Sequence, residues 1–298
     1  MAATAPTEEV PEELRPIVDL EEQGPDRFAG RTPPSPVGRV FGGMVVAQSL
    51  MAAVRSVTPG TTPAAGPSSG GPALAPHSLH GYFLQPVVPD AEVVFEVEPV
   101  RDSRSFALRE VTAVQDGRPR ARFLCSFHIE EAGEVDYQLA PPTNMDGPEA
   151  FGRAEGPMPF DLRIADPVPA GDGTFLASGR HWVRVDRPLP DDAALHLCLA
   201  AYFSDQTHLS FRPYSEQAWG THTDASLDHA LWFHRPARLD QWVRYELQAL
   251  SVRGNRATVR GLMYDGDGAL VLSMAQELLV RPIPGAEPQL PPWGRRPD

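Results

Sequence analysis

The chain repeats itself at long range. Phe83 and Phe233, Pro86 and Pro236, Phe95 and Tyr245, and Ala107 and Ala257 are matched pairs, each separated by 150 positions. Around these anchors, each half reads as one helix followed by four strands. Residues 40–57 place Val45, Val46, Leu50, Ala53, Val54 and Val57 on one wide apolar helical face. Residues 191–204 form the matching helix, with Asp191 and Asp192 in its first turn, where the helix dipole favours acids. Strand-like runs follow at 77–85, 91–101, 103–115 and 118–130, and again at 226–234, 241–251, 256–264 and 269–280. Asp102-Ser103 and Asp116-Gly117 stand where tight turns join antiparallel neighbours. A near gap-free repeat of this length implies duplication of one α+β unit, not a short solenoid repeat. Chance agreement between two amphipathic sheets is the alternative, and the coincident turns weigh against it.

A long antiparallel sheet curled around one apolar helix is how the hotdog fold looks in sequence. The expected class is therefore α+β, a double hotdog whose two sheets pair edge to edge and so remove two exposed edges. The expected layout is a loose Pro- and Glu-rich arm at 1–36, a first hotdog at 37–132 and a Pro/Gly-rich linker at 133–177. A second hotdog at 178–284 and a tail at 285–298 complete it. Residues 58–76 are low in complexity and read as a solvated insertion.

Composition excludes more than it suggests. There is no lysine, and all 26 basic residues are arginine, so a Walker A loop, a pyridoxal Schiff base and a protein-kinase site are ruled out. A net charge of −13 argues against nucleic-acid or anionic-membrane partners. Two cysteines, Cys125 and Cys198, cannot make a disulfide-stapled scaffold. No apolar run reaches the ~20 residues of a membrane span. The first residues lack a secretory signal's apolar stretch, and the last are not a peroxisomal or ER address. A cytoplasmic location is expected.

Five segments then carry a family resemblance. RVFGGMVVAQSLMAA (39–53), HSLHGYFLQP (77–86) and SLDHALWFHRP (226–236) resemble the acyl-CoA thioesterase II family, the TesB type, the third being the most specific. AYFSDQ (201–206) and SMAQELLVRP (273–282) follow in the right order. The resemblance covers about 37–130 and 178–282. It implies a double hotdog that hydrolyses fatty acyl-CoA to free acid and CoA, assembled as a homo-oligomer, dimer or tetramer. It also implies a catalytic trio of Asp, hydroxyl residue and Gln, which falls on Asp205, Ser226 and Gln276. No cofactor and no metal are expected. Met44 departs from the family, which often has Gln after the Gly-Gly.

The residues fit that role chemically. Asp205 closes an apolar helix, where a carboxylate opposes the dipole; a solvent-facing helix end is the plain alternative. As a base it would take a proton from water, with Ser226 and Gln276 aiming that water by hydrogen bonds. Gln276 interrupts an otherwise apolar strand and so calls for a partner or a site. At the repeat offset Gln276 meets Ser126 and Ser226 meets Pro76, so only one of the two pseudo-equivalent sites should work. Gly42 and Gly43 are candidates for oxyanion and substrate contact at the first helix N-terminus, or else simply cap and pack that helix.

Weaker signals remain. Gly66–Gly70 matches G-x-S-x-G only literally, within a Pro-Gly tract. His77, His80, His229 and His234 alternate along strands without a zinc pattern and read as packing or substrate lining. Arg101, Arg104 and Arg109 could meet CoA phosphates, or pair at the surface. Tyr82, Phe83, Trp232 and Phe233 read as core in preference to an acyl tunnel. Asp205 with His208 tempts a hotdog enoyl-CoA hydratase reading, but its Asn-Pro context is missing. A catalytically silent acyl-CoA-binding protein is the other alternative.

Overall fold

The computed structural model describes residues 9–35, 38–57, 74–143, 145–154, 160–165, 168–169, 171, 176–210 and 220–287. The first half contains helix α1 (Arg15–Val18), strands β1 (Glu21–Gly24) and β2 (Arg27–Arg31), and helix α2 (Gly42–Val57). Strands β3 (Leu74–Phe83), β4 (Glu92–Asp102), β5 (Phe106–Gln115) and β6 (Arg118–Ile129) follow. The second half contains β7 (Asp161–Ile164), β8 (Val168–Pro169), β9 (Leu176–Arg184) and helix α3 (Ala193–Ser204). It ends with β10 (His222–Ser226), β11 (Asp228–Phe233), β12 (Val243–Arg253), β13 (Arg256–Tyr264) and β14 (Leu270–Pro282).

All these strands join one antiparallel sheet in the order β1-β2-β4-β5-β6-β3-β11-β14-β13-β12-β9-β7, with β10 on β14 and β8 on β9. The order is its own mirror image about the β3–β11 junction. There Ala230 faces His80, its own partner at the repeat offset, so a pseudo-two-fold axis passes through that pair. The edge-to-edge union expected from the repeat is thus formed by one shared ladder, which closes two edges at once. Helices α2 and α3 lie against each other, and α2 packs on β2 to β6. Their apolar residues and the inward side chains of both halves form one contiguous core. Nearly every residue of α3 from Leu195 to Ser204 is buried, as befits a helix that is apolar all round. Asp192 caps it, accepting from the N–H of Ala194 at 2.8 Å and of Leu195 at 3.2 Å.

The arm is not loose. Leu14, Ile17, Val18 and Phe28 are in the core, and β2 pairs with β4. Strand β2 holds the place in the first half that β9 holds in the second; Pro and Glu around it masked a short buried strand. The 133–177 connection likewise contains β7 and β8, which extend the sheet beyond β9. Most of the 58–76 insertion, including Gly66–Gly70, lies outside the described residues, but 74–76 already belong to β3. In the tail, 288–298 lie outside them as well. Asp116 and Gly117 turn between β5 and β6 with φ of 52° and 67°, the left-handed pair that a two-residue hairpin asks for.

Candidate active site

The C-terminal end of α3 meets the N-terminal end of α2. Asp205 is the residue after α3, with φ −81° and ψ 7°, and it is only 5% exposed. Its Oδ1 accepts from Gln276 Nε2 at 2.6 Å and from Ser226 Oγ at 3.0 Å. The structure therefore brings together the three residues singled out in the sequence, although they are 21 and 71 positions apart. Ser226 ends β10 and Gln276 lies mid-way along β14, facing inward.

The glycines complete the pocket from the other helix. The Gly43 N–H donates to the Asp205 carboxylate. A Cβ on Gly42 would lie 2.6 Å from Asp205 Oδ2, and one on Gly43 would lie 2.1 Å from the Tyr202 carbonyl oxygen. Only glycine lets the two helix ends come this close. An acid at the end of its own helix is unfavourable, but this one faces the positive end of the neighbouring helix. As an oxyanion donor Gly43 needs correction, because its N–H is directed at Asp205. Met44, at the position where the family often has Gln, is buried.

Burial pushes the Asp205 carboxyl up from 3.8 to about 6. The hydrogen bonds from Gln276 and Ser226 oppose this, nearby Asp224 adds to it, and the Gly43 N–H opposes it again. A carboxylate in that range is ionised at neutral pH and still basic enough to accept a proton in a reaction step. Among the described residues no cluster of three or more His, Cys, Asp or Glu is placed to hold a metal ion.

One functional neighbour was missed. His229 is buried, with Nδ1 4.0 Å from Asp205 Oδ1 and Nε2 2.8 Å from Ser204 Oγ. The three other strand histidines go elsewhere: His77 to Ser126 at 2.8 Å, His234 to Ser273 at 2.9 Å, and His80 edge-on to Trp232. Treating the four as one alternating set hid the buried member. The side chain of His208 lies outside the described residues.

The alignment of Gln276 with Ser126 also needs correction. Val259 faces Gln276 on β13, and its repeat partner Arg109 faces Cys125 on β5. Cys125 is therefore the structural counterpart of Gln276. The β13–β14 turn, which carries five residues between Tyr264 and its partner Leu270 where Val114 and Pro119 enclose four, shifts the offset by one.

The remaining candidates resolve simply. Arg109 is buried and paired with Asp102 at 2.8 Å and Ser56 at 3.1 Å, so it cannot serve an external phosphate; Arg101 and Arg104 are exposed. Cys125 and Cys198 are buried free thiols, and burial pushes both up. Phe233 is core and Phe83 packs on Phe123, but Tyr82 and Trp232 point outward, 64% and 38% exposed.

Comparison with known proteins agrees with this architecture. The family model described as acyl-CoA thioesterase matches residues 159–279, and that of the acyl-CoA thioesterase N-terminal domain matches 31–128. Human acyl-coenzyme A thioesterase 8 is 31% identical over 90% of this chain and 88% of its own. The structure of acyl-CoA thioesterase II TesB2 from Mycobacterium marinum is 34% identical and superposes with a TM-score of 0.73, covering 92% of this chain and all of that one. A hot dog fold protein of unknown function from Alicyclobacillus acidocaldarius, 19% identical, superposes at 0.70 over 92% of this chain and all of its own. The fold is a double hotdog. The chain belongs to the acyl-CoA thioesterase family.

Proposed function

We propose that this chain hydrolyses fatty acyl-CoA thioesters to free fatty acid and CoA, using Asp205, Ser226 and Gln276. The observation that carries the reading is a buried carboxylate, gripped by an amide and a hydroxyl, at the N-terminus of α2. Family membership supplies the substrate class.

Asp205 takes a proton from a water held beside Ser226 and Gln276. The water oxygen attacks the thioester carbonyl carbon, and the carbonyl π electrons move to oxygen. The oxyanion is held by N–H donors at the start of α2, with Gly42 leading because Gly43 is directed at Asp205. As the carbonyl re-forms, the C–S bond breaks, and the leaving thiolate takes the proton from Asp205. No covalent enzyme intermediate forms. The same residues in the first half are absent, so one site works per chain.

The reading extends to assembly and location. The outward face of the sheet exposes Tyr82, Phe106, Leu124 and Trp232, which suits a homo-oligomer, a dimer or tetramer. Buried, unpaired thiols suit a reducing compartment, the cytoplasm.

The test is CoA release from C4 to C18 acyl-CoAs by wild type and Asp205→Asn. Release by wild type and a loss of about 100-fold or more in a folded variant is the expected result. A wild type inactive on every chain length, or a variant that matches it, refutes the reading. Hydration of enoyl-CoA and plain acyl-CoA binding are then the assays that identify the other two activities this fold supports.

A further inference from the structure

The duplication supplies an internal control for the active site. Each half builds the same sheet on the same helix, yet only one half carries the polar trio. Residues that fill the fold should match between halves; residues that serve the reaction should not.

With the register corrected, the differences concentrate around Asp205. Ladder geometry puts His229 opposite Gln276, one step beyond the Ala230–Ala275 pair. The equivalent pair in the first half is Leu79 opposite Cys125, both fully buried. Ser204, which binds His229, corresponds to Val54. Tyr245, whose hydroxyl donates to the Ser204 carbonyl at 2.7 Å, corresponds to Phe95. Gly261, where a Cβ would lie 2.6 Å from the Tyr245 hydroxyl, corresponds to Val111. A leucine at position 79 shows that packing this site does not require an imidazole. Burying one is costly without a role.

We propose that His229 is a positioning residue of the hydrolytic site, anchored on Ser204 and holding the Gln276 amide so that its NH2 group faces Asp205. Resting on the hydrolase reading, this deepens it. The Ser204 hydroxyl has one hydrogen, and it donates to the Ala201 carbonyl at 2.7 Å. His229 must then donate from Nε2 to Ser204 Oγ. Burial lowers the imidazole to about 4, so the ring is neutral and Nδ1 is left as an acceptor. Nδ1 has no hydrogen-bond partner in the described structure and lies on the Asp205 side, 4.0 Å from Oδ1. A flipped Gln276 would aim its oxygen at two acceptors, Nδ1 and the carboxylate. The observed amide aims its nitrogen there. The charged and titratable groups around Asp205 are Asp224 from β10, Tyr202 on α3, Tyr245 from β12 and His229 from β11.

The test compares wild type, His229→Leu and His229→Asn in CoA release, with thermal melts to confirm folding. Leucine is what the first half uses; asparagine places an acceptor near the Nδ1 position. The expected result is a fall in kcat of about 10- to 100-fold for His229→Leu, the cost of misplacing a catalytic group by about 1 Å. KM stays within about twofold. The pH midpoint of kcat/KM moves upward as the Gln276 hydrogen bond to the carboxylate weakens, and His229→Asn recovers part of the lost rate. A His229→Leu enzyme that matches wild type in kcat and midpoint overturns the inference, as does equal loss in both variants with an unmoved midpoint. If His229→Leu does not fold, Ser204→Ala takes its place: a lowered kcat with an upward midpoint supports the inference, and an unchanged profile overturns it. Wild type is measured first. No release by wild type refutes the hydrolase reading itself, whereas release that survives His229→Leu unchanged refutes only the role of His229.

Discussion

Removing the charge of Asp205 should make the protein more stable as it makes it less active, and the gain should depend on pH. The carboxyl sits at about 6 in the folded chain and at an ordinary 3.8 when unfolded. Because the folded value is the higher one, the folded state binds the proton more tightly, and stability falls as pH rises from 3.8 through 6. The full cost of the ionised group at neutral pH is about 3 kcal/mol. Between pH 5 and pH 8 the part that develops is about 1.4 kcal/mol. In Asp205→Asn the new Oδ1 still accepts from Gln276 and Ser226, while the new NH2 group faces the Gly43 N–H. That second effect does not vary with pH and drops out of the comparison. The assay is thermal unfolding of both proteins at pH 5, 6, 7 and 8. The stability gap in favour of the variant should widen by about 1.4 kcal/mol from pH 5 to pH 8, or about 3–6 °C in Tm for a chain of this size. A gap that is constant or narrows with rising pH would refute a strained, ionised Asp205.

Other perturbations follow from the same geometry. Gly43→Ala drives a Cβ to 2.1 Å from the Tyr202 carbonyl, so it should cost more than about 2 kcal/mol in urea unfolding and abolish CoA release. Tyr245→Phe removes the hydroxyl that holds the Ser204 carbonyl; it should cost about 1–2 kcal/mol and lower kcat, measured by melting and steady-state assays. Deleting 60–73 should leave Tm within about 2 °C of wild type, since such tracts tolerate change; a larger drop on melting would show that the tract is packed.

The repeat and the trio were legible because each rests on a signal that survives folding. Apolar anchors 150 apart mark equivalent core positions, and Gln276 stands out as an amide in an apolar run. Three things were not legible. The strands near the chain start were hidden, because Phe28 and Ala29 supply only two buried residues to a five-residue strand among charged neighbours. The register slip was hidden because a one-residue difference in turn length leaves the strand pattern intact but exchanges its faces, so that Gln276 matched outward Ser126 when its true counterpart is inward Cys125. His229 was present in the most specific motif, yet its significance lies in a comparison across the repeat: at the same offset stands Leu79. Gly42 and Gly43 were legible as a helix start, but their need to be glycine comes from Asp205 and Tyr202 on the other helix.

The pH dependence of kcat/KM in wild type tests most directly whether Asp205 activates the water. The base must be ionised to work, so the rate should rise with pH and level off above a midpoint near 6, the value its burial sets. The residual rate of Asp205→Asn should lack that midpoint. A wild-type profile flat from pH 5 to 8, or the same midpoint in the variant, would contradict the assignment of Asp205 as the base.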